Sequence, residues 1–260
     1  MLKAQVKMLN EIIARTRDEV AFRKVRIPAE LFKLDGPTRS LKKAITSAKS
    51  NAIITEIKPA SPSEGKIREV DPAETALAME KGGACALSVL TEPFYFHGSL
   101  LNLKKAKDAV KIPVVRKDFI IDEYQLLEAK NYGADAVLLM TSVLGGEVKT
   151  FYKKTRELGM EALVEVHDEK ELEIAIASGA EIIGINNRNL KDLSIDLKTT
   201  ERLAAKMSKV SDGKIIVSES GIKTKQDLDL VLRHANAALV GTSLMRAGDL
   251  EKAVKEFVKK

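Results

Sequence analysis

Apolar and polar residues follow a regular alternation along this chain after about residue 50. Short, continuously apolar runs are separated by longer segments in which apolar residues recur with helical spacing. Continuous apolar runs are typical of parallel strands that helices cover. The pattern predicts eight strands, at residues 52–57, 84–90, 113–116, 135–140, 161–166, 181–186, 214–219 and 237–241.

A helical segment follows each predicted strand, from "DPAETALAMEKGG" after the first to "DLEKAVKEFVKK" after the last. Several of these segments begin with Asp, Ser or Thr and end with Gly, which are the expected helix caps. Eight strand–helix units in series predict a (β/α)8 barrel of the α/β class. A doubly wound open sheet is the alternative, but its Gly-rich turn after the first strand is replaced here by "KPASPSEG".

Residues 1–50 lie outside this alternation. The segment "QVKMLNEIIARTRDEVAFRK" predicts a helix whose apolar residues, such as Leu9 and Ile12, must be covered by another element. A linker then leads to "LKKAITSAK", which predicts a short helix. We therefore expect one barrel domain over residues 1–260, in which residues 1–50 are an N-terminal helical extension that covers one end.

Composition narrows the range of functions. Hydrophobic residues make up 45% and charged residues 31%, which is usual for a globular protein, and no apolar run is long enough to cross a membrane. The single Cys85 cannot form an internal disulfide, so a cytoplasmic location is expected. The net charge is +6, but basic residues are interspersed with acidic ones and aromatic residues are only 4%, which argues against nucleic-acid binding.

Charged residues stand at the carboxyl ends of several predicted strands, which is where barrels of this kind carry their chemistry. Glu56 and Lys58 end the first strand and share one face of it, because their positions differ by two. A buried charge is costly unless it is paired or used, so a purely structural ion pair is one interpretation. Lys117, Glu165 and Glu219 stand at the ends of three other predicted strands. Convergence of these two lysines and three glutamates favours an active site over a structural ion pair.

The last two strands end in glycine beside hydroxyl residues, in "SESGI" and "LVGTSL". Barrels commonly bind phosphate there through backbone N–H groups and a short helix. This pattern predicts a phosphate site, with tight turns that need glycine as the alternative. The aromatic run that contains Phe96 is either packing or one wall of a ring-binding pocket. His97, His167 and His234 lack metal-ligand spacing, so no metal site is expected.

Eight motifs in order resemble those of the indole-3-glycerol-phosphate synthase family, over about residues 5–258. They are "ITEIKPASPSEG", "SVLTEPFYFHGSL", "PVVRKDFIIDEYQ", "GADAVLLM", "ALVEVHDEKEL", "IIGINNRNL", "VSESGI" and "ALVGTSLMR". The resemblance implies a carboxy-lyase of tryptophan biosynthesis. Its substrate would be 1-(2-carboxyphenylamino)-1-deoxyribulose 5-phosphate, which loses CO2 and water to form indole-3-glycerol phosphate.

The resemblance also implies a role for each site residue. Lys117 would be the general acid of ring closure and Glu165 the general base of dehydration. Lys58 would hold the substrate carboxylate and could supply a proton in dehydration. The remaining residues would orient the substrate and the lysines (Glu56, Asn186, Arg188 and Glu219), hold the phosphate (Ser61, Ser220, Gly221, Gly241 and Thr242) and form the apolar ring pocket (Phe96, Leu138 and Leu190).

No cofactor is expected, the only implied partner is the small phosphorylated substrate, and we expect a monomer. Two rivals remain at this stage. Phosphoribosylanthranilate isomerase shares the phosphate end, but it places a cysteine after the first strand where this chain has Lys58. A non-catalytic phosphosugar-binding protein would explain the glycines but not Lys58, Lys117 and Glu165 together.

Overall fold

Eight parallel strands close into a barrel in a computed structural model, which describes residues 2–62, 64–190, 192–207 and 213–260. The first strand pairs with both the second and the eighth, as in Ile54↔Ala86 and Ile54↔Leu239, so the sheet has no open edge. The predicted (β/α)8 barrel is therefore confirmed. We number the strands β1 Ile53–Ile57, β2 Ala86–Leu90, β3 Val114–Lys117, β4 Ala136–Met140, β5 Glu161–Val166, β6 Ile182–Asn186, β7 Ile215–Glu219 and β8 Ala237–Val240.

Helices surround this barrel at the positions that the sequence predicts. Asp71, Ser99, Asp122, Asp168 and Thr224 each accept a backbone N–H at the start of a helix, which confirms the predicted caps. The helices are α1 Leu2–Arg26, α2 Leu41–Thr46, α3 Pro72–Lys81, α4 Leu100–Ala109, α5 Glu123–Asn131, α6 Thr141–Leu144, α7 Val148–Glu157, α8 Glu169–Ala177, α9 Lys198–Met207, α10 Lys225–Leu232, α11 Thr242–Met245 and α12 Leu250–Val258.

Three short elements were not predicted. Helices α6 and α11 directly follow β4 and β8, and residues Ala60–Ser61 pair with Gly65–Lys66 in a small antiparallel hairpin after β1. These segments are too short to show a periodic pattern. All three lie at the carboxyl ends of strands, and two short 3-10 helices at Ala29–Leu31 and Gly145–Glu147 complete the elements.

Two apolar cores hold the barrel together. The outer core lies between strands and helices and includes Ile53, Val137 and Ile183, whereas the inner core fills the barrel and includes Ile54 and Leu163. Neighbouring strand residues thus belong to different cores, as the two-residue period of a strand requires. The inner core ends where the charged residues at the carboxyl ends of the strands begin.

The N-terminal extension reaches both ends of the barrel. Leu41 and Ile45 of α2 are buried in the inner core at the amino ends of the strands, which confirms that the extension covers one end. Helix α1 lies at the opposite end, where the Arg15 guanidinium stacks 3.7 Å from the ring of Phe94, just beyond β2. Between α1 and α2 the chain runs beside α5, where Nζ of Lys130 donates to the Gly36 carbonyl at 2.7 Å.

Two further findings concern cysteine and membranes. Burial raises the pKa of Cys85 to about 12, so this thiol is held in its neutral form at the amino end of β2. In the parts of the chain that the structure describes, none of the helices has both the length and the apolar character needed to span a bilayer.

Candidate active site

The predicted site residues meet at the carboxyl end of the barrel. Glu56, Glu165 and Glu219 are almost completely buried, and they come from strands β1, β5 and β7. Lys58 and Lys117 enter the same space from the end of β1 and the end of β3, with side chains about one-fifth exposed. Each of these positions continues the inward-facing row of its strand. We call these five residues the Lys117 cluster.

The Lys117 ammonium lies between the three carboxylates. Its Nζ donates to Oε2 of Glu219 at 2.9 Å and lies 3.7 Å from Oε2 of Glu56 and 3.9 Å from Oε2 of Glu165. The Nζ of Lys58 lies 2.9 Å from Oε1 of Glu56. The two lysines are therefore linked through Glu56, and a proton on Lys117 can face a group bound at the centre of the barrel mouth.

Two ammonium groups do not neutralise three buried carboxylates. Burial lowers the pKa of Lys117, but the charges of Glu219, Glu56 and Glu165 outweigh it, so the pKa is raised and Lys117 keeps its proton. Burial raises the pKa of Glu219 to about 7, with Lys117 opposing the shift and Glu165 and Glu56 adding to it. For Glu56, Lys58 and Lys117 outweigh burial and lower the pKa. The excess negative charge is thus partly relieved by a proton on Glu219.

Glycine makes room for two of these carboxylates. A Cβ at Gly241 would lie 2.3 Å from Oε1 of Glu56, and a Cβ at Gly184 would lie 2.0 Å from Oε1 of Glu219. Any side chain at either position would displace the carboxylate from its place. Gly241 was predicted only as a phosphate ligand, so it has a second, steric reason to be glycine.

Asn186 is the last residue of β6, and Arg188 lies two residues beyond it on the same rim. The Oδ1 of Asn186 accepts the backbone N–H of Arg188 at 3.0 Å, so the asparagine fixes the start of this loop. The Arg188 guanidinium donates to the Leu193 carbonyl at 3.3 Å. Its predicted influence on the two lysines stays a prediction.

The predicted phosphate residues surround the ends of β7 and β8. Ser220 and Gly221 both have positive φ angles, 68° and 86°, which turn the chain sharply after Glu219. Thr242 is the first residue of α11 and follows Gly241 directly. Ser61 lies in the hairpin after β1, which is tied to the next loop because Ala60 N–H donates to the Phe96 carbonyl at 3.2 Å.

Apolar side chains that were predicted to form the ring pocket line another part of the barrel mouth. The rings of Phe96 and Phe119 are 6.0 Å apart between centroids, and Phe119 and Leu190 pack against the inner core, to which Leu138 belongs. Phe119 was missed in the sequence. It stands two residues after Lys117, so the period of an extended chain could have placed it on the same side.

His167 was considered in the sequence only as a metal ligand, and no role in the site was predicted for it. Its Nδ1 lies 2.9 Å from Oε2 of Glu171, and its Nε2 lies 3.4 Å from Oε1 of Glu165. It stands two residues after Glu165, so the same period could have indicated its position. Within the described residues, no group of three or more His, Cys, Asp or Glu side chains is arranged to hold a metal ion.

Comparison with known proteins adds an independent line of evidence. The family model described as indole-3-glycerol phosphate synthase matches residues 9–257. The indole-3-glycerol phosphate synthase of Methanocaldococcus jannaschii is 46% identical over 97% of this chain and 99% of that protein. The enzyme of the same name from Caldanaerobacter subterraneus subsp. tengcongensis is 45% identical over 97% of this chain and 98% of that protein.

One solved structure supports the fold alone. The thiamine phosphate pyrophosphorylase from Pyrococcus furiosus aligns with a TM-score of 0.62 over 84% of this chain and 96% of that chain. Its sequence identity to this chain is 16%, so the similarity concerns the barrel and not the chemistry.

Proposed function

The chain belongs to the indole-3-glycerol phosphate synthase family of carboxy-lyases, and we propose that its Lys117 cluster closes and dehydrates the indole ring of the product. The substrate is 1-(2-carboxyphenylamino)-1-deoxyribulose 5-phosphate, and the product is indole-3-glycerol phosphate. The observation that carries this proposal is the position of Lys117 Nζ, within 4 Å of three carboxylates at the barrel mouth. A protonated ammonium held there is a general acid aimed at the centre of the site.

Substrate binding uses three regions of the mouth. The phosphate is held by backbone N–H groups and hydroxyls of Ser61, Ser220, Gly221, Gly241 and Thr242, since glycine-rich turns after the last two strands expose such donors. The aromatic ring lies against Phe96, Phe119, Leu138 and Leu190. The ring carboxylate pairs with Lys58, whose Nζ lies 2.9 Å from Glu56 and is partly exposed to the mouth.

Ring closure joins the ring carbon that bears the carboxylate to the ketone carbon. The electron pair comes from the anilino nitrogen through the ring, and the ketone π electrons move to oxygen. Lys117 donates its proton to that oxygen as the negative charge develops there. Its raised pKa suits this step because Lys117 must be protonated beforehand, and the alkoxide that forms is a stronger base than the amine.

Decarboxylation and dehydration follow from that intermediate. The bond to CO2 breaks, and its electron pair returns to the ring and neutralises the iminium nitrogen, so the electron sink lies within the substrate. Glu165 then removes the proton from the carbon beside nitrogen while the hydroxyl leaves as water with a proton from Lys58. Glu56, Asn186, Arg188 and Glu219 orient the substrate and the two lysines. None of these steps requires a cofactor.

Location and assembly are proposed on the same basis. A biosynthetic family and a single neutral cysteine fit a reducing cytoplasm. One chain supplies every residue of the proposed site, so a monomer can be active with the phosphorylated substrate as its only partner.

Indole fluorescence tests the proposal directly, because the chain contains no Trp and the product is an indole. Purified protein is mixed with the carboxyphenylamino-deoxyribulose phosphate, and emission is followed over time. We expect a signal whose initial rate is proportional to enzyme concentration. A flat trace from folded protein that still binds the substrate would overturn the proposed reaction and leave only a phosphosugar-binding barrel.

A further inference from the structure

His167 bridges two carboxylates at the edge of the proposed site. It follows β5 two residues after Glu165, and its side chain is only 9% exposed. Its Nδ1 lies 2.9 Å from Oε2 of Glu171, the same oxygen that accepts the His167 backbone N–H at 2.8 Å. An ionised carboxylate can only accept hydrogen bonds, so Nδ1 carries a hydrogen and Nε2 is turned toward Glu165.

The atoms between His167 and Glu165 are incompletely bonded. Nε2 of His167 and Oε1 of Glu165 are 3.4 Å apart, and within the described residues neither atom makes a hydrogen bond. Both atoms are buried, which is costly for polar groups without partners. A proton on Nε2 and a small rotation of either side chain would satisfy both atoms at once with a charge-assisted bond.

The charges around the imidazole favour its cationic form. Glu165 and Glu219 face it from the barrel and Glu171 from α8, while the Lys117 ammonium lies 3.9 Å from Oε2 of Glu165. Burial lowers the pKa of His167, but the hydrogen bond to Glu171 and the charges of Glu165, Glu171 and Glu219 outweigh it and raise the pKa. An imidazolium here would be the third cation, after Lys58 and Lys117, among the four carboxylates of Glu56, Glu165, Glu171 and Glu219.

We propose that His167 is a positioning residue that, as an imidazolium anchored by Glu171, keeps Glu165 ionised and directed into the site. This inference rests on the proposed function, in which Glu165 must be a carboxylate before it can remove a proton. Lys117 cannot do this alone, because it is closest to Glu219 at 2.9 Å. His167 supplies charge at Oε1 of Glu165, whereas Lys117 lies nearest to its Oε2.

The pH dependence of turnover distinguishes this role from simple packing. Without the cation, the ionised form of the general base is less favoured, so the acidic limb of the kcat/KM profile in a His167→Gln variant moves upward by about one pH unit. Above the limb, the rate recovers to within a few-fold of the parent. A merely structural role would instead lower the rate by the same factor at every pH.

Two companion variants sharpen the profile. Glu171→Gln keeps an acceptor for Nδ1 but removes a charge, so its limb moves in the same direction by a smaller amount. His234→Gln is the matched control, because His234 lies beyond α10 and far from the site in the fold. Its profile should coincide with that of the parent. Unmoved limbs in folded His167→Gln and Glu171→Gln proteins would overturn the proposal.

A second measurement is independent of turnover. The chain has three histidines, so ring resonances can be titrated by NMR and the His167 signal assigned by its loss in His167→Gln. Coupling is reciprocal, so in a Glu165→Gln variant the pKa of His167 should fall by about one unit. An identical His167 titration in parent and variant would overturn the proposal even if the enzyme is active. A coupled titration in a protein without turnover would instead sink only the proposed function.

Discussion

Arg116 and Lys117 are consecutive residues of β3, and they point to opposite faces of it. Each is the centre of a buried ionic group. Outside the strand, the guanidinium groups of Arg23 and Arg116 meet the two buried carboxylates of Asp118 and Glu128 in what we call the Arg116 cluster. Arg23 also contacts the partly exposed Glu19 of its own helix at 3.3 Å. Inside the barrel, two ammonium groups of the Lys117 cluster meet three carboxylates. The two clusters share a strand and differ in charge balance.

The polar groups of the Arg116 cluster are hydrogen-bonded. Nη2 of Arg116 donates to Asp118 at 2.8 Å, and its Nη1 donates to the Gln125 carbonyl at 2.6 Å. Glu128 accepts from Nε of Arg23 at 2.7 Å and from Arg116 at 3.4 Å. Because Arg23 belongs to α1, this cluster fastens the N-terminal extension to β3 and α5.

The Lys117 cluster is left incomplete by comparison. Oε1 of Glu165 and Oε1 of Glu219 are buried without a hydrogen-bond partner among the described residues. A group with unfilled bonding capacity can bind a substrate hydroxyl or hold a proton, whereas a filled network holds the fold together. Charge and burial are therefore common to both clusters, whereas the balance of buried charges and the unfilled bonds differ.

Glu128→Gln should have the largest effect on stability. It removes one anion from a balanced buried cluster and leaves an uncompensated guanidinium, which costs about 3 kcal/mol of unfolding free energy. Denaturant unfolding measures this loss. The turnover number per folded molecule should equal that of the parent, since Glu128 lies outside the barrel. A change in unfolding free energy below about 1 kcal/mol would contradict the stabilising role assigned to the Arg116 cluster.

Glu219→Gln should have a smaller effect of the opposite sign. The folded-state pKa of Glu219 is raised from 4.5 to about 7, so the folded protein holds a proton that the unfolded chain releases, and the parent loses stability as pH rises through this window. The variant escapes this loss. The Tm of the variant minus that of the parent should therefore increase as pH rises from 4.5 to 7, by about 2–4 °C for each kcal/mol of stability that the parent loses.

The gain is limited because Lys117 loses its nearest carboxylate in the same variant. Thermal unfolding of both proteins across this pH range provides the measurement. A Tm difference that stays constant with pH would mean that Glu219 does not carry the excess charge of the cluster.

Lys104→Ala should have the smallest effect and provides the baseline for both clusters. Lys104 pairs with Asp108 on the exposed face of α4, at 2.6 Å. Exposed pairs of this kind contribute about 0.2–1 kcal/mol, which salt reduces further. Denaturant unfolding at low and high salt should show this small loss, and the initial rate should not change. A loss as large as that of Glu128→Gln would mean that burial does not distinguish the pairs.

The fold was predictable because strand and helix periods are local properties of the sequence. The inward-facing positions at the strand ends then indicated Glu56, Lys117 and Glu219 as candidate site residues. Their mutual distances were not predictable, because Glu56 and Glu219 become neighbours only when the barrel closes. Arg116 shows the same limit, since it shares its partner Glu128 with Arg23, which comes from an extension whose path depends on tertiary contacts. Phe119 carries a two-residue spacing from Lys117 that was available but was not used, and His167 was considered only as a metal ligand.

The turnover of a Lys117→Ala variant tests the central claim most directly. Its kcat in the indole fluorescence assay should fall by about 10²–10⁴-fold, the usual contribution of one general acid. Lys104→Ala is the matched control and should retain the parent rate. A folded Lys117→Ala protein that turns over at the parent rate would contradict the account and remove Lys117 from the chemistry.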